Sequence, residues 1–317
     1  MGMVDIVFIN KSLDDAIQKC SKPSYSLMNL SNRIKHSLNV FAETIRELDY
    51  EKGCLIDNKG NVVYENTDHS NKTVHLNQTD YLEELMMNDH HIREWVDNLE
   101  KETEEIYNST DDIGEAYSKS TKLEEEYTKN LIQYLTENGN FQINIEHNHP
   151  GAYGNNDDTN VPLDYNVFTC LSEGDVNCLL GGVEVYGENY KSSGIYVNGL
   201  VRSITAECSN GSRMSLINNN PIDTNIDTEQ FINVYNNLNN KWKTYLKEIR
   251  EKGINYSNQE KYIKYHKEHP NEKLLDFIHN DKNNYMKKES LKIFPSMISD
   301  DIKAFEELGF ELRVDWL

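Results

Sequence analysis

The segment FQINIEHNHP, residues 141–150, decides how the rest of this sequence is interpreted. Its first half alternates apolar and polar side chains, which predicts a β-strand with one face in the core. Side chains two positions apart on a strand share a face, so His147 and His149 can reach one metal ion, and Pro150 predicts that the strand ends there. By itself the pair is weak evidence, because histidine pairs are also common on protein surfaces.

The segment SEGD, residues 172–175, is the second feature that carries chemistry. It predicts the start of a helix, with Ser172 as its capping residue. Asp175 falls in the first turn, where its carboxylate is either a ligand for a metal ion or only part of the cap. Two histidines and one aspartate would make three protein ligands, and three ligands leave one position open, as in catalytic zinc sites.

Together, HNHP and SEGD resemble the H-x-H-P … S-x-x-D signature of JAB/MPN (JAMM) zinc metallopeptidase domains, a family that includes RadC-like proteins. The resemblance covers roughly residues 1–215, with specific motifs near residue 51 and at 146–175. It implies an α/β fold in which helices flank a mixed sheet, similar to that of cytidine deaminases. It also implies a zinc-dependent metallopeptidase or isopeptidase that hydrolyses a peptide-type bond through a metal-activated water.

The resemblance further implies a role for each residue of the site. His147, His149 and Asp175 would be the metal ligands, Glu51 the general base and Ser172 the residue that stabilises the oxyanion. The residue types suit these roles on chemical grounds. Zinc lowers the pKa of its bound water towards about 7, a carboxylate can take the proton, and a hydroxyl can donate to the developing oxyanion.

The third ligand has an alternative in the sequence. Ser172 follows His149 by 23 positions, which is longer than the family's usual spacing, so residues 151–171 would contain an inserted loop. Asp164 lies closer to the usual position of the aspartate. However, Val161 stands three residues before it, where the family has serine or threonine, and the aspartate of SEGD is therefore preferred.

The general base has an alternative as well. Glu51 follows a helix that the apolar spacing predicts over residues 28–48, which is where the family carries its catalytic glutamate. Glu43 and Glu47 lie on that preceding segment, and Glu47 would face the same way as Glu51 if the strand began earlier. Without such a role, Glu51 would be a solvated residue at a helix end.

The resemblance and the apolar pattern together imply how the chain is organised. Residues 1–218 form the JAB/MPN-like domain, with a helical insertion at about 79–138, and residues 219–317 form a helical C-terminal region that resembles no family we can name. The insertion would be a substrate-binding lid or an arm for homo-oligomers. The predicted strands are 3–8, 72–76, 141–150, 182–186, 194–200 and 202–208, with a hairpin at 53–66. The predicted helices are 28–48, 80–99, 121–137, 172–180, 231–250, 258–268, 271–279 and 299–308. The second of these helices is predicted to begin with a capping box from Asp80 to Glu83.

Charge and cysteine content restrict the partners and the compartment. The chain has 32 basic and 53 acidic residues, a net charge of −21, so we expect neither nucleic acid nor an anionic membrane as a partner. Five scattered cysteines without a CxxC pair favour reduced thiols. With no secretory signal and no apolar run near the roughly 20 residues of a spanning helix, we expect a cytoplasmic protein that acts on a protein or peptide substrate.

Two other functions compete with hydrolysis of a peptide bond. The first is a non-catalytic protein-interaction module on the same fold, which would bind no metal. The second is a nuclease of the HNH type, but those enzymes spread their ligands over a longer ββα unit, and the acidic charge disfavours it. Of the other histidines, His90 and His91 are adjacent on a helix and are predicted to diverge, and His266 and His269 are predicted to be solvated.

Overall fold

The protein is described by a computed structural model as a mixed α/β fold, in which helices flank a mixed sheet. Its strands are β1 (Gly53–Asp57), β2 (Val62–Asn66), β3 (Ile143–His149), β4 (Gly182–Tyr186), β5 (Gly194–Asn198), β6 (Val201–Cys208), β7 (Ser212–Asn218) and β8 (Phe310–Trp316). The described residues are 40–41, 44–45, 48, 50–69, 74–138, 141–149, 168–186, 194–208, 211–219, 226–257, 263–264, 267–270 and 285–316.

Six of these strands form one sheet in the order β2-β1-β3-β6-β7-β8, and β4 and β5 form a separate hairpin. β3 pairs antiparallel with β1 and parallel with β6, so the sheet is mixed. All seven residues of β3 are buried, because the strand is central and both of its faces are covered. The strand that carries the HxH pair is therefore a fully buried, central element of the sheet.

The helices whose bounds the structure describes are α1 (Gln78–Met87), α2 (His90–Ser109), α3 (Ile113–Asn138), α4 (Glu173–Leu180), α5 (Thr228–Ser257), α6 (Tyr285–Met297) and α7 (Ser299–Glu307). α4 packs on β6, while α1 and α3 pack on the β4–β5 hairpin. α5 packs against α6 and α7, and α7 packs on β8. The two helical groups thus lie against different parts of the β structure.

The helical insertion and the segment before it differ from their predictions in three places. Val74, His75 and Leu76 form no strand, and α1 begins at Gln78 after Asn77, so the predicted capping box from Asp80 is wrong. The predicted helix over 80–99 is divided, because the side chain of Asp89 caps a new helix by accepting from His91 N and Ile92 N. α3 begins at Ile113, eight residues before its predicted start, since Asp112 Oδ1 accepts the N–H groups of the first turn.

The C-terminal region contributes to the sheet as well as to the helical layer. β8 pairs antiparallel with β7, with Ser212 opposite Trp316, so the sheet continues across the predicted domain boundary at residue 218. Neither β7 nor β8 was predicted. The hairpin at 53–66, the strands near 143–149, 182–186, 194–198 and 201–208, and the helices at 173–180, 231–250 and 299–307 are confirmed.

Several predictions fall outside the described residues. These are the strand at 3–8, most of the helices at 28–48, 258–268 and 271–279, and the loop before residue 168. Glu43, Glu47, Val161, Asp164 and His266 lie there too. None of the helices in the described parts of the chain is long and apolar enough to cross a membrane.

Candidate metal centre

Three ligand atoms converge at the end of β3. His147 Nε2 lies 3.0 Å from His149 Nε2 and 3.1 Å from Asp175 Oδ1, and His149 Nε2 lies 3.5 Å from Asp175 Oδ2. Ligands bound at 2.0–2.1 Å around a tetrahedral ion are about 3.3 Å apart, so these separations fit one shared ion. The donor set of two imidazoles and one carboxylate suits a transition metal such as zinc.

Asp175 is both part of a helix cap and a candidate ligand. Ser172 N donates to Asp175 Oδ2 at 2.6 Å, and Asp175 N donates to Ser172 Oγ at 3.2 Å, which completes a capping box at the start of α4. The sequence left open whether Asp175 is a metal ligand or part of the helix cap, and its position is compatible with both. Burial alone would raise the pKa of Asp175, but the charge and hydrogen bonds of His147 and His149 outweigh it and hold this pKa well below its usual range.

A hydrogen bond fixes which nitrogen of His149 faces the site. His149 Nδ1 lies 3.1 Å from Thr169 Oγ1, and Thr169 N in turn donates to Ser212 Oγ at 3.1 Å. With the hydrogen on Nδ1 donated to Thr169, Nε2 keeps its lone pair for a metal ion. Burial lowers the pKa of His149, which favours the neutral form that a metal requires.

His147 has a different environment. Burial would lower its pKa, but the adjacent Asp175 carboxylate outweighs burial and raises it. Its Nδ1 is buried and finds no hydrogen-bond partner among the described residues. In the absence of a cation, the His147 ring holds a proton and forms a buried ion pair with the Asp175 carboxylate. A metal ion that binds here would displace this proton from His147.

The segment that carries Thr169 is held in place by α5. Phe168 N donates to Tyr245 Oη at 3.0 Å, and Trp242 Nε1 donates to Phe168 O at 2.9 Å. Tyr235 Oη donates to Leu171 O at 3.2 Å, immediately before α4 begins. The C-terminal region thus positions the segment of Thr169, which contacts His149, and the start of α4, which carries Asp175. The sequence predicted α5, but nothing in its pattern indicated which segment its aromatic residues contact.

Glu51 lies in the same cleft as the three ligands. It is only 4% exposed, and burial raises its pKa to about 7, with the charge of His147 opposing this rise and that of Asp175 adding to it. Between the two histidines, Asn148 holds the backbone around Glu51: its Nδ2 donates to Tyr50 O and its Oδ1 accepts from Lys52 N. The structure thus brings the predicted base to the predicted ligands.

The cleft has a volume of about 200 Å³. Ser172 and Gly174 at the start of α4 line one side of it. Val74, His75 and Leu76, which precede α1, line it as well, and Gln78 Nε2 donates to Cys178 Sγ at 3.3 Å within the lining. The residues just before the predicted helical insertion therefore form part of the cleft, which the sequence did not predict.

A second group of ligand atoms lies on the insertion. Contrary to the predicted divergence of the two rings, nitrogens of His90 and His91 and a carboxylate oxygen of Glu94 lie within 4.8 Å of one another. All three side chains are exposed, so water competes with them for any ion. Exposed His269, on the C-terminal region, belongs to no such group within the described residues.

Comparison with known proteins adds no further assignment: no family model, no curated protein and no solved structure matches this chain.

Proposed function

We propose that this protein is a zinc-dependent metallopeptidase or isopeptidase with a JAB/MPN-like fold. The observation that carries the proposal is the convergence of three ligand atoms, from His147, His149 and Asp175, in a cleft that also contains the buried carboxyl of Glu51. Three protein ligands leave an open coordination position, and an acid–base group next to that position is what hydrolysis requires.

The proposed roles follow from where each side chain lies. A bound zinc ion would lower the pKa of water and polarise the scissile carbonyl. Glu51 accepts the proton of the attacking water, and its burial keeps its proton affinity close to that required at neutral pH. Ser172 lines the cleft, and because its Oγ accepts from Asp175 N, its own O–H hydrogen remains to donate to the developing oxyanion.

The substrate would be a protein or peptide. Hydrophobic side chains of Val74, Leu76, Ile145 and Ile204 line the cleft beside the polar groups. Such a surface can bind apolar parts of an extended chain, while the few polar groups orient the scissile bond. The proposal therefore names an amide bond of a polypeptide as the bond that is hydrolysed.

The test combines metal analysis with hydrolysis by the full-length protein. After chelation, zinc is added back, and bound zinc is measured together with cleavage of a quenched-fluorescent peptide library. We expect one zinc ion in the wild type and loss of it in His147→Ala, His149→Ala and Asp175→Asn. Glu51→Gln should retain zinc and lose hydrolysis by a factor of at least about 100.

The exposed histidine group on α2 provides the matched control. His90→Ala with His91→Ala removes two imidazoles of the same type and should change neither the zinc bound at the cleft nor hydrolysis. A wild-type protein that binds no zinc and cleaves no peptide would favour the protein-interaction module. Unchanged hydrolysis in both Glu51→Gln and His147→Ala would refute the proposal.

A further inference from the structure

The lip of the cleft carries a histidine outside the proposed ligand set. His75 precedes α1 and lines the cleft together with Glu51 and the ligands. Its side chain is 77% exposed, and its Nδ1 lies 2.7 Å from Asp68 Oδ2. Because a carboxylate at this distance accepts a hydrogen, Nδ1 is the protonated nitrogen, and Nε2 is the atom that can exchange a proton with a substrate.

The position of His75 is fixed by three hydrogen bonds. Besides the ring contact, His75 N donates to Asp68 Oδ2 at 3.0 Å, and His75 O accepts from Asn66 Nδ2 at 2.6 Å. An exposed side chain ordinarily samples several rotamers, and a partner that holds the ring reduces the entropy lost when a substrate binds. This ring is therefore preorganised although it faces solvent.

The same turn connects His75 to the proposed base. Thr67 Oγ1 donates to Glu51 O at 3.0 Å, and Asn66 at the end of β2 pairs with Gly53 on β1, two residues after Glu51. Residues 66–68 therefore hold the backbone of Glu51 on one side and His75 on the other. The two side chains are held at the same cleft by one short piece of chain.

Their exposures suit two different proton transfers. Glu51 is 4% exposed and can hold a proton away from solvent, whereas His75 can recover a proton from water after each turnover. The hydrogen bonds from His75 lower the pKa of Asp68, so Asp68 remains ionised beside the ring. The titratable groups that line the cleft with His75, among the described residues, are Glu51, His147, His149, Asp175 and Cys178.

We propose that His75 is the general acid that protonates the leaving nitrogen, with Asp68 as its positioning residue. This role depends on the hydrolysis proposed above. Water gives one proton to Glu51 and forms the new C–O bond. As the C–N bond breaks, its electron pair takes the proton on His75 Nε2, and the amine leaves. His75 is left neutral, with Nδ1–H on Asp68, and regains a proton from solvent, to which Glu51 releases its own.

The experiment compares two substrates that differ only in the leaving group. The first is the peptide that the zinc-loaded wild type cleaves fastest in the library, and the second is the p-nitrophenyl ester of the same acyl part. A nitrophenolate leaves without a proton, whereas an amine does not. His75→Gln should lower kcat/KM about 10- to 100-fold for the peptide and less than about threefold for the ester. Asp68→Asn should act in the same direction with a smaller effect.

Two controls separate catalysis from structure. Zinc content should not change in either variant. The matched control is His90→Gln, an exposed histidine that also lies near a carboxylate, Glu94, but outside the cleft, and it should leave both substrates unaffected.

Each outcome decides the proposal. Equal losses on peptide and ester, or an unchanged rate on the peptide, would overturn the role of His75 while hydrolysis itself stands. A wild-type protein that cleaves neither substrate would overturn the proposed function and the role of His75 with it.

Discussion

Asn148 and Glu51 are tied together although they are 97 positions apart in the sequence. The side-chain oxygen of Asn148 accepts from Lys52 N at 2.6 Å, and its Nδ2 donates to Tyr50 O at 3.0 Å, so one amide holds the backbone on both sides of Glu51. Asn148 stands between the two histidines of the ligand set and points to the other face of β3. Two of the three ligands and the proposed base are therefore positioned by three consecutive residues of one strand.

Asn148→Ala should weaken hydrolysis without removing the metal. It leaves Lys52 N and Tyr50 O without their side-chain partner, so we expect a loss of about 1–3 kcal/mol in the free energy of unfolding. Because Glu51 is no longer fixed against the ligands, the rate of peptide hydrolysis should fall by about tenfold or more. Zinc content, chemical denaturation and the library assay measure these three effects.

Asn144→Ala is the matched control for this prediction. Asn144 is a buried asparagine on the same face of β3, where its Oδ1 accepts from Ser203 Oγ at 2.7 Å. Its loss should cost a similar free energy of unfolding but leave hydrolysis by the folded, zinc-loaded protein unchanged. Equal effects of the two variants on hydrolysis would show that Asn148 acts only through stability.

Thr169→Val should reduce the affinity for zinc. Valine keeps the shape of threonine but cannot accept the hydrogen of His149 Nδ1, so the ring keeps its hydrogen bond with the backbone of Cys170 but loses the hydroxyl that helps to orient it. Loss of such a partner typically weakens metal binding by about 10- to 100-fold. Competition with a chromophoric chelator measures the change, and Thr169→Ser, which keeps the hydroxyl, should bind zinc nearly as the wild type does. A Thr169→Val protein that binds zinc as tightly as the wild type would contradict this role of the hydroxyl.

The sequence predicted the parts of the fold whose pattern is local. β3 shows alternation, and α4 begins with a capping serine, so both elements are visible within ten residues. β7 was missed because a buried strand that contains Arg213 resembles a polar loop. Arg213 is tolerated there because it lies opposite Glu207 on β6 and donates to Glu207 Oε2 from Nε at 3.0 Å and from Nη2 at 2.6 Å. Such pairing across strands has no local signature.

The candidate site was also predicted only in part from the sequence. The motifs indicated His147, His149 and Asp175 as candidate ligands because these residue types bind metal ions and the two histidines share one face of a strand. The supports of the site come from distant segments: Thr169 reaches His149, and Tyr245 on α5 holds the backbone next to Thr169. One hydroxyl and one aromatic residue carry no spacing that marks them as supports, so only the tertiary structure identifies them.

Gly53→Ala should disturb the ligand strand through a close contact. Gly53 on β1 lies opposite His147 on β3, and an added Cβ would lie 3.2 Å from His147 Cβ and 2.9 Å from Leu76 Cδ1. Leu76 is buried and His147 is fixed by its strand, so we expect a cost of about 1–3 kcal/mol in the free energy of unfolding and weaker zinc binding. Thermal unfolding and chelator competition test both effects.

Gly174→Ala provides the comparison for Gly53→Ala. Its added Cβ would meet Ser172 Oγ at 3.5 Å, an ordinary contact, and alanine is favoured over glycine within a helix by roughly 0.5–1 kcal/mol. This variant should therefore be at least as stable as the wild type. A Gly53→Ala protein as stable as Gly174→Ala, with unchanged zinc affinity, would show that the strand yields to the added methyl group.

Glu51 should make the stability of the metal-free protein depend on pH. Burial raises its pKa from 4.5 to about 7, so between these values the folded state binds more protons than the unfolded state. The free energy of unfolding should therefore fall as the pH rises from about 4.5 through about 7, because the buried carboxyl must ionise. Glu51→Gln removes this ionisation, so the variant should gain stability relative to the wild type as the pH increases. Chemical denaturation of chelator-treated protein at pH 5 and pH 8 measures the difference, with the exposed Glu65→Gln as the control. A constant difference between wild type and Glu51→Gln at the two pH values would contradict a raised pKa, and zinc should abolish the effect by stabilising the carboxylate.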